Sequence, residues 1–172
     1  VRKGNLIKWN PAVKTAADRD ALRAGLLDGA VDVVATDHAP HTLEEKERPY
    51  ANAPSGGPLV QHSLPMMLEL SAQGVLPVET VVEKMCHAPA RLFGVRDRGF
   101  LRTGHFADIV LVRPADPWTV SKENILYKCG WSPLEGTAFS HRIVRTLVNG
   151  RTVYADGRVD TAHRGAELEF DR

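Results

Sequence analysis

Val31-Asp32-Val33-Val34-Ala35-Thr36, followed directly by Asp37-His38-Ala39-Pro40-His41, is the stretch whose reading decides the fold. Its first six residues are short, β-branched and nearly all apolar, the composition of a strand covered on both faces. Upstream, Thr15 stands three residues ahead of Asp18, the spacing of a helix start in which each residue caps the other. Ala21, Leu22, Gly25 and Leu26 fall on one helical face, and Gly29 is a natural stop. Further back, Asn5 to Trp9 is an apolar-rich run closed by Asn10-Pro11, expected as a strand and its exit loop. Strand, helix, strand in that order predicts a parallel α/β unit.

Downstream of the deciding stretch, Asp37 to Gly57 reads as a long polar loop, and loops of that length are more often functional than mere connectors. Within it, Glu44, Glu45, Lys46, Glu47 and Arg48 read as a solvated face. Helices are expected from Leu64 to Ala72, from Pro77 with Val81, Val82 and Met85 inward, and from Ala88 to Phe93. Cys86 is expected in the core. After Gly99 the period changes to two. Ala107 to Val112, Arg142 to Val148 and Thr152 to Tyr154 are predicted strands. Asn149-Gly150 is a strong hairpin signal and Asp156-Gly157 marks another turn. Pro114 to Phe139 reads as irregular. The chain therefore divides into 1–98, an α/β part; 99–160, a small antiparallel β unit; and 161–172, a polar, loosely held tail.

Of the 172 residues, 43% are hydrophobic and 25% charged, and 22 Lys+Arg nearly balance 21 Asp+Glu. That near-neutral balance gives no electrostatic reason to expect nucleic acid or a membrane as partner. Cys86 and Cys129 form no CxxC pair, and two thiols at this density suggest a reducing, cytoplasmic setting. Val1-Arg2-Lys3-Gly4-Asn5 carries no signal peptide and no starting Met, and is read as an internal start.

The chemistry gathers where the predicted strand at 31–36 ends. In α/β barrels that rim holds the active site. Asp37 offers a carboxylate that suits either a metal ligand or a general base toward a metal-bound water. His41, four residues on, could face the same cavity and hydrogen-bond a substrate. A turn cap fixed by Pro40 explains a bare Asp-His pair as well, so the residues alone leave both readings open. His38 reads as a supporting residue, and His62 and His87 as structural. Trp118 and Trp131 read as packing anchors or a subunit contact.

Ala35-Thr36-Asp37-His38-Ala39-Pro40-His41 resembles the hallmark segment on the last barrel strand of dihydroorotases, in the amidohydrolase superfamily. Asn10-Pro11 and Ala53-Pro54-Ser55-Gly56-Gly57 are similar to family segments in order and spacing. So are Ala107-Asp108-Ile109-Val110, Ser132 to Gly136 and Val148 to Tyr154. The resemblance implies a fold: the last strand–helix units of a TIM-type (β/α)8 barrel plus part of a small antiparallel β domain. It implies a reaction: the reversible closure of N-carbamoyl-L-aspartate to L-dihydroorotate in pyrimidine synthesis, assisted by one or two zinc ions. It implies roles: Asp37 as metal ligand and acid/base group, with Asn10, His41, Ser55 and Gly56 binding the small-molecule substrate. Ala12-Val13-Lys14 and Ser55 depart from the family pattern. The family's His-x-His pair, lysine and further histidines have no counterpart here, so the remaining N-terminal part of the same protein is an expected partner, and this chain alone is expected to be inactive. A homo-oligomer is also expected. The rival readings are an allantoinase or hydantoinase, disfavoured by the Ala-Pro-His after Asp37-His38, and a non-catalytic dihydroorotase-like scaffold subunit.

Overall fold

A computed structural model describes residues 3–171. Helix α1 (Ala16–Asp28) begins at the capping box: the Thr15 hydroxyl accepts from the Asp18 amide while the Asp18 carboxylate accepts from the Thr15 amide. It ends at Gly29, whose φ of 89° is left-handed. Its apolar face is only half covered, with Gly25 buried but Leu22 62% exposed. Helix α2 (Leu43–Glu47) interrupts the expected polar loop, because Thr42 and Glu45 form a second capping box. Helix α3 spans Ser63–Ala72 and α4 spans Val78–Val82. A π turn at Glu83–His87 carries α4 directly into α5 (Ala88–Leu92).

Met67, Leu76 and Val81 form the buried core, with Leu26, Val34, Leu64, Leu70 and Met85 packed on it. Val34 thus brings the 31–36 segment between the helices. Val82 is exposed, one position round the helix from the buried Val81, and Cys86 is exposed on the π turn rather than in the core.

Two expected strands do not form ladders. Residues Gly4–Ile7 make a 3-10 turn, closed by the Leu6 amide on the Lys3 carbonyl and the Lys8 amide on Asn5. Val31 to Thr36 has no strand neighbour among the described residues. Three of its backbone groups bond to the helices instead: the Val31 amide donates to Gly25 O, the Val34 amide to Lys84 O, and the buried Lys84 ammonium to Val31 O at 2.5 Å. A strand is defined by its partner, and composition alone does not supply one.

The second half is a four-stranded antiparallel sheet in the order β1 (Ile109–Thr119), β2 (Ala138–Val148), β3 (Arg151–Ala155), β4 (Arg158–Val159). Strand β1 runs on past Pro114 through a break in register. Both turns are left-handed at two successive positions: Asn149 at 52° and Gly150 at 77°, Asp156 at 49° and Gly157 at 81°. That is the type I′ geometry which matches strand twist. The sheet is fastened to α3 by the Glu69 carboxylate, which accepts from the Ser140 amide (2.9 Å) and hydroxyl (2.7 Å). These bonds hold the Glu69 carboxyl below its ordinary value. The tail is docked at its end, not loose: Phe170 bridges Val95, and the Arg96 amide donates to Glu169 O. No helix among the described residues is long and apolar enough to cross a membrane.

Candidate active site

The residues after Thr36 turn sharply. Asp37 adopts a φ of 45°, and its side chain is exposed. His38 pairs in parallel with Gly57, and the Ala39 amide donates to Gly57 O at 3.2 Å. The His38 ring supports the turn, as expected: Nδ1 accepts from the amides of Leu59 (3.1 Å) and Val60 (3.3 Å). His41 precedes α2, with Nδ1 3.6 Å from the Glu45 carboxylate, and its carbonyl accepts from Trp131 Nε1 at 2.8 Å. Trp131, 2% exposed, therefore clamps this loop to the segment that follows β1.

Ser55 and Gly56 lie against both of these regions. The Gly56 amide donates to Lys8 O at 2.9 Å, and a φ of 105° lets its bare α-carbon press on Ala39. Both backbone polar groups of Gly56 are engaged internally, the carbonyl by Lys46 Nζ. Asn10, two residues beyond Lys8, is exposed and joined to Pro11 by a cis peptide bond. The backbones carrying Asp37, His41, Ser55–Gly56 and Asn10 are thus tied into one cluster. Among the described residues no hydrogen bond links those four side chains to one another, and Asp37 takes part in no side-chain hydrogen bond or ion pair. The described residues contain no group of three His, Cys, Asp or Glu arranged to hold a metal ion.

One member of the cluster escaped the sequence reading. Lys46 is 1% exposed, although its charge run reads as a solvated face. Its ammonium is drawn inward by three carbonyls, those of Gly56 (2.7 Å), Pro54 (2.9 Å) and Lys8 (3.3 Å). Burial and the neighbouring Lys8 ammonium push its pKa down. The Trp9 and Trp131 rings lie 5.8 and 6.0 Å from it. The only sequence signal was the position of Lys46 opposite the exposed Glu44 and Glu47 on a short helix. His62 is fully buried among Tyr127, Trp118 and Phe139. His87 stacks on Phe100 at 4.4 Å, a structural role as expected. Trp118 is a packing anchor, its ring 5.5 Å from Phe139 and its Nε1 donating to His141 O.

Residues 5–153 match the amidohydrolase family, and the chain belongs to it. Within that family it is similar to proteins named dihydroorotase. The Pelobacter propionicus protein is 42% identical over 147 residues, 86% of this chain and 34% of that one. The Halobacterium salinarum protein is 39% identical over 165 residues, 96% of this chain and 39% of that one. Among solved structures, the L-hydantoinase (dihydropyrimidinase) of Arthrobacter aurescens superposes with a TM-score of 0.83 at 32% identity, covering 92% of this chain and 36% of that one. The D-hydantoinase of Bacillus sp. AR9 gives 0.83 at 25% identity, covering 92% of this chain and 36% of that one. The chain spans about a third of the length of the curated relatives it matches.

Proposed function

We propose that the whole protein containing this chain is a zinc-dependent dihydroorotase, working on a small molecule in the cytoplasm, and that residues up to about 98 complete a TIM-type barrel. The observation that carries the reading is the Asp37-His38-Ala39-Pro40-His41 turn. It presents a free, exposed carboxylate on a backbone tied to the Ser55–Gly56 and Lys8–Asn10 segments. The similarity to proteins named dihydroorotase at about 40% identity supports it.

Asp37 fits zinc as one oxygen donor. A catalytic site needs about three protein donors, and the others belong outside residues 3–171. When bound, the ion supplies Lewis-acid polarisation and a more acidic water. In the hydrolytic direction Asp37 takes the proton of the attacking water and returns it to the leaving ring nitrogen. His41 and Asn10 orient the substrate by hydrogen bonds. Ser55 contributes its amide, since the amide of Gly56 is already used. Gly56 contributes by lacking a side chain.

The test is Asp37→Asn in the complete protein. The change is nearly isosteric and removes the proton acceptor. Loss of about 10²–10⁴ in kcat with the fold intact is expected. Activity within a few-fold of the unmodified protein, at unchanged metal content, defeats the assignment. The hydantoinase likeness supports a second reading, a related cyclic amide hydrolase. Turnover of dihydroorotate, hydantoin and allantoin measured side by side separates the two. No turnover on any of them favours a scaffold subunit.

A further inference from the structure

We infer that Lys46 is a positioning residue for substrate binding: its buried ammonium, donating to the carbonyls of Lys8, Pro54 and Gly56, sets where Asn10 and Ser55 stand relative to the Asp37–His41 turn. The inference rests on the dihydroorotase reading for its substrate, but not for its geometry.

Three separate stretches of chain meet at this one nitrogen. Lys46 belongs to α2, which starts two residues after His41. Its acceptors lie 38, 8 and 10 residues away along the chain. Each accepting carbonyl is within two residues of a candidate substrate contact: Lys8 of Asn10, Pro54 of Ser55, and Gly56 itself. An ammonium has three N–H donors disposed around a point, and three carbonyls are what it meets here. Every partner in that set is neutral, so the charge is desolvated without a carboxylate in the cage. Burying a cation is costly, and a neutral side chain of the same length would fill the space with less penalty. A purely packing role would therefore be served better by Met or Leu. What the charge adds is strong, oriented bonds to the carbonyls of Pro54 and Gly56, beside the Lys8 ammonium that fastens Tyr50 and Ala53. The walls of the cage point the same way. Trp9 leads directly into Asn10, and Trp131 holds the His41 carbonyl. A shift of the ammonium thus displaces substrate-facing segments on both sides, while the Asp37 carboxylate, which it does not touch, stays in place.

The experiment uses the complete protein, unmodified and as Lys46→Met and Lys46→Arg, with four readings: KM and kcat on dihydroorotate, bound metal, melting temperature, and amide hydrogen exchange by mass spectrometry. Lys46→Met is expected to raise KM at least ten-fold, with kcat changed less than three-fold and metal content unchanged. Exchange should rise in peptides covering 8–10 and 53–57. Lys46→Arg keeps the charge, but its planar fork does not match three carbonyls around a point, so an intermediate rise of about three-fold is expected. A lowered melting temperature with KM within two-fold in both variants overturns the proposal and leaves Lys46 a structural residue. If Lys46→Met is insoluble, an unchanged KM in Lys46→Arg overturns it alone. Should the unmodified protein not turn over dihydroorotate, the substrate reading fails, and the exchange data decide the geometry. Increased exchange confined to the two segments supports the positioning role, and unchanged exchange there refutes it.

Discussion

Replacing Gly56 with alanine puts a methyl group where the structure has no room for it. An ideal Cβ on Gly56 would lie 2.6 Å from the Ala39 Cβ, and the backbone there has a φ of 105°. Two costs add. Holding an L-residue in that backbone region costs about 1–3 kcal/mol. Forcing a methyl into occupied space costs about 1–3 kcal/mol more. The neighbour cannot swing aside, because Ala39 has no rotamer to change and its amide is bonded to Gly57 O. Gly56→Ala should therefore destabilise the complete protein by about 2–6 kcal/mol, a large part of a typical folding free energy.

Gly104 provides the control. Its φ is 89°, but no atom lies within 4 Å of its would-be Cβ. Gly104→Ala should cost only the backbone term, about 1–3 kcal/mol. Adding Ala39→Gly to Gly56→Ala removes the opposing methyl and should return about 1–3 kcal/mol as a coupling energy. Denaturant unfolding of the unmodified protein, Gly56→Ala, Ala39→Gly, the double variant and Gly104→Ala measures this, provided the slope stays constant. If Gly56→Ala costs no more than Gly104→Ala, and the cycle shows no coupling, then the contact between the Ser55–Gly56 segment and the Asp37–His41 turn is not as described. The geometric basis for joining Ser55 to this site then falls with it.

Two further outcomes are expected. Burial pushes the His62 pKa below its ordinary value, so the unfolded chain takes up the proton first. Stability is then fully present above about pH 6.5 and is lost as pH falls from there toward the folded value. The melting temperature should drop on acidification below about pH 6.5, and less steeply in His62→Phe; identical slopes would exonerate His62. Residues 1–172 purified alone with added Zn²⁺ should show no dihydroorotate hydrolysis, since Asp37 is the one ligand proposed among the described residues, which hold no group of three His, Cys, Asp or Glu arranged for a metal, and a catalytic zinc site takes about three. Measurable turnover by that chain, with a cooperative melt, would point to a metal site other than the one proposed.

Signals confined to a few neighbouring residues were legible in the sequence. The Thr15–Asp18 capping box depends on two residues three apart, and it forms where the spacing predicts. Asn149-Gly150 and Asp156-Gly157 need only a tolerance for positive φ, and both make the expected turns. The Asp37-to-His41 turn was legible for the same reason. What failed depended on partners elsewhere. Asn5 to Trp9 and Val31 to Thr36 have strand composition, yet composition does not say whether an adjacent strand is there to bond. With none among the described residues, the first curls into a 3-10 turn and the second bonds only at Val31 and Val34, to Gly25 and Lys84.

The same distinction separates the candidate site's parts from its joints. Asp37, His41, Asn10 and Ser55 can be named one by one, because each sits in a short motif. Lys46 could not, because its environment is built from carbonyls, and carbonyls carry no sequence signature: any residue at 8, 54 or 56 would offer one. A lysine amid Glu44, Glu45 and Glu47 is read as solvated by rule, since exposed charge runs are the common case. Only the folded chain reveals that α2 turns that one side chain inward while leaving Glu44 and Glu47 in water. Gly57 makes the complementary point. A Cβ there would fall 2.9 Å from the Trp9 ring and 3.2 Å from Trp131, so the two glycines at 56 and 57 serve different neighbours. Gly56 admits the Asp37–His41 turn, and Gly57 admits the indole walls around Lys46. Two adjacent glycines in one short segment thus make two separate close approaches in space, and those approaches hold the Ser55–Gly57 segment against the Asp37–His41 turn on one side and Trp9 on the other.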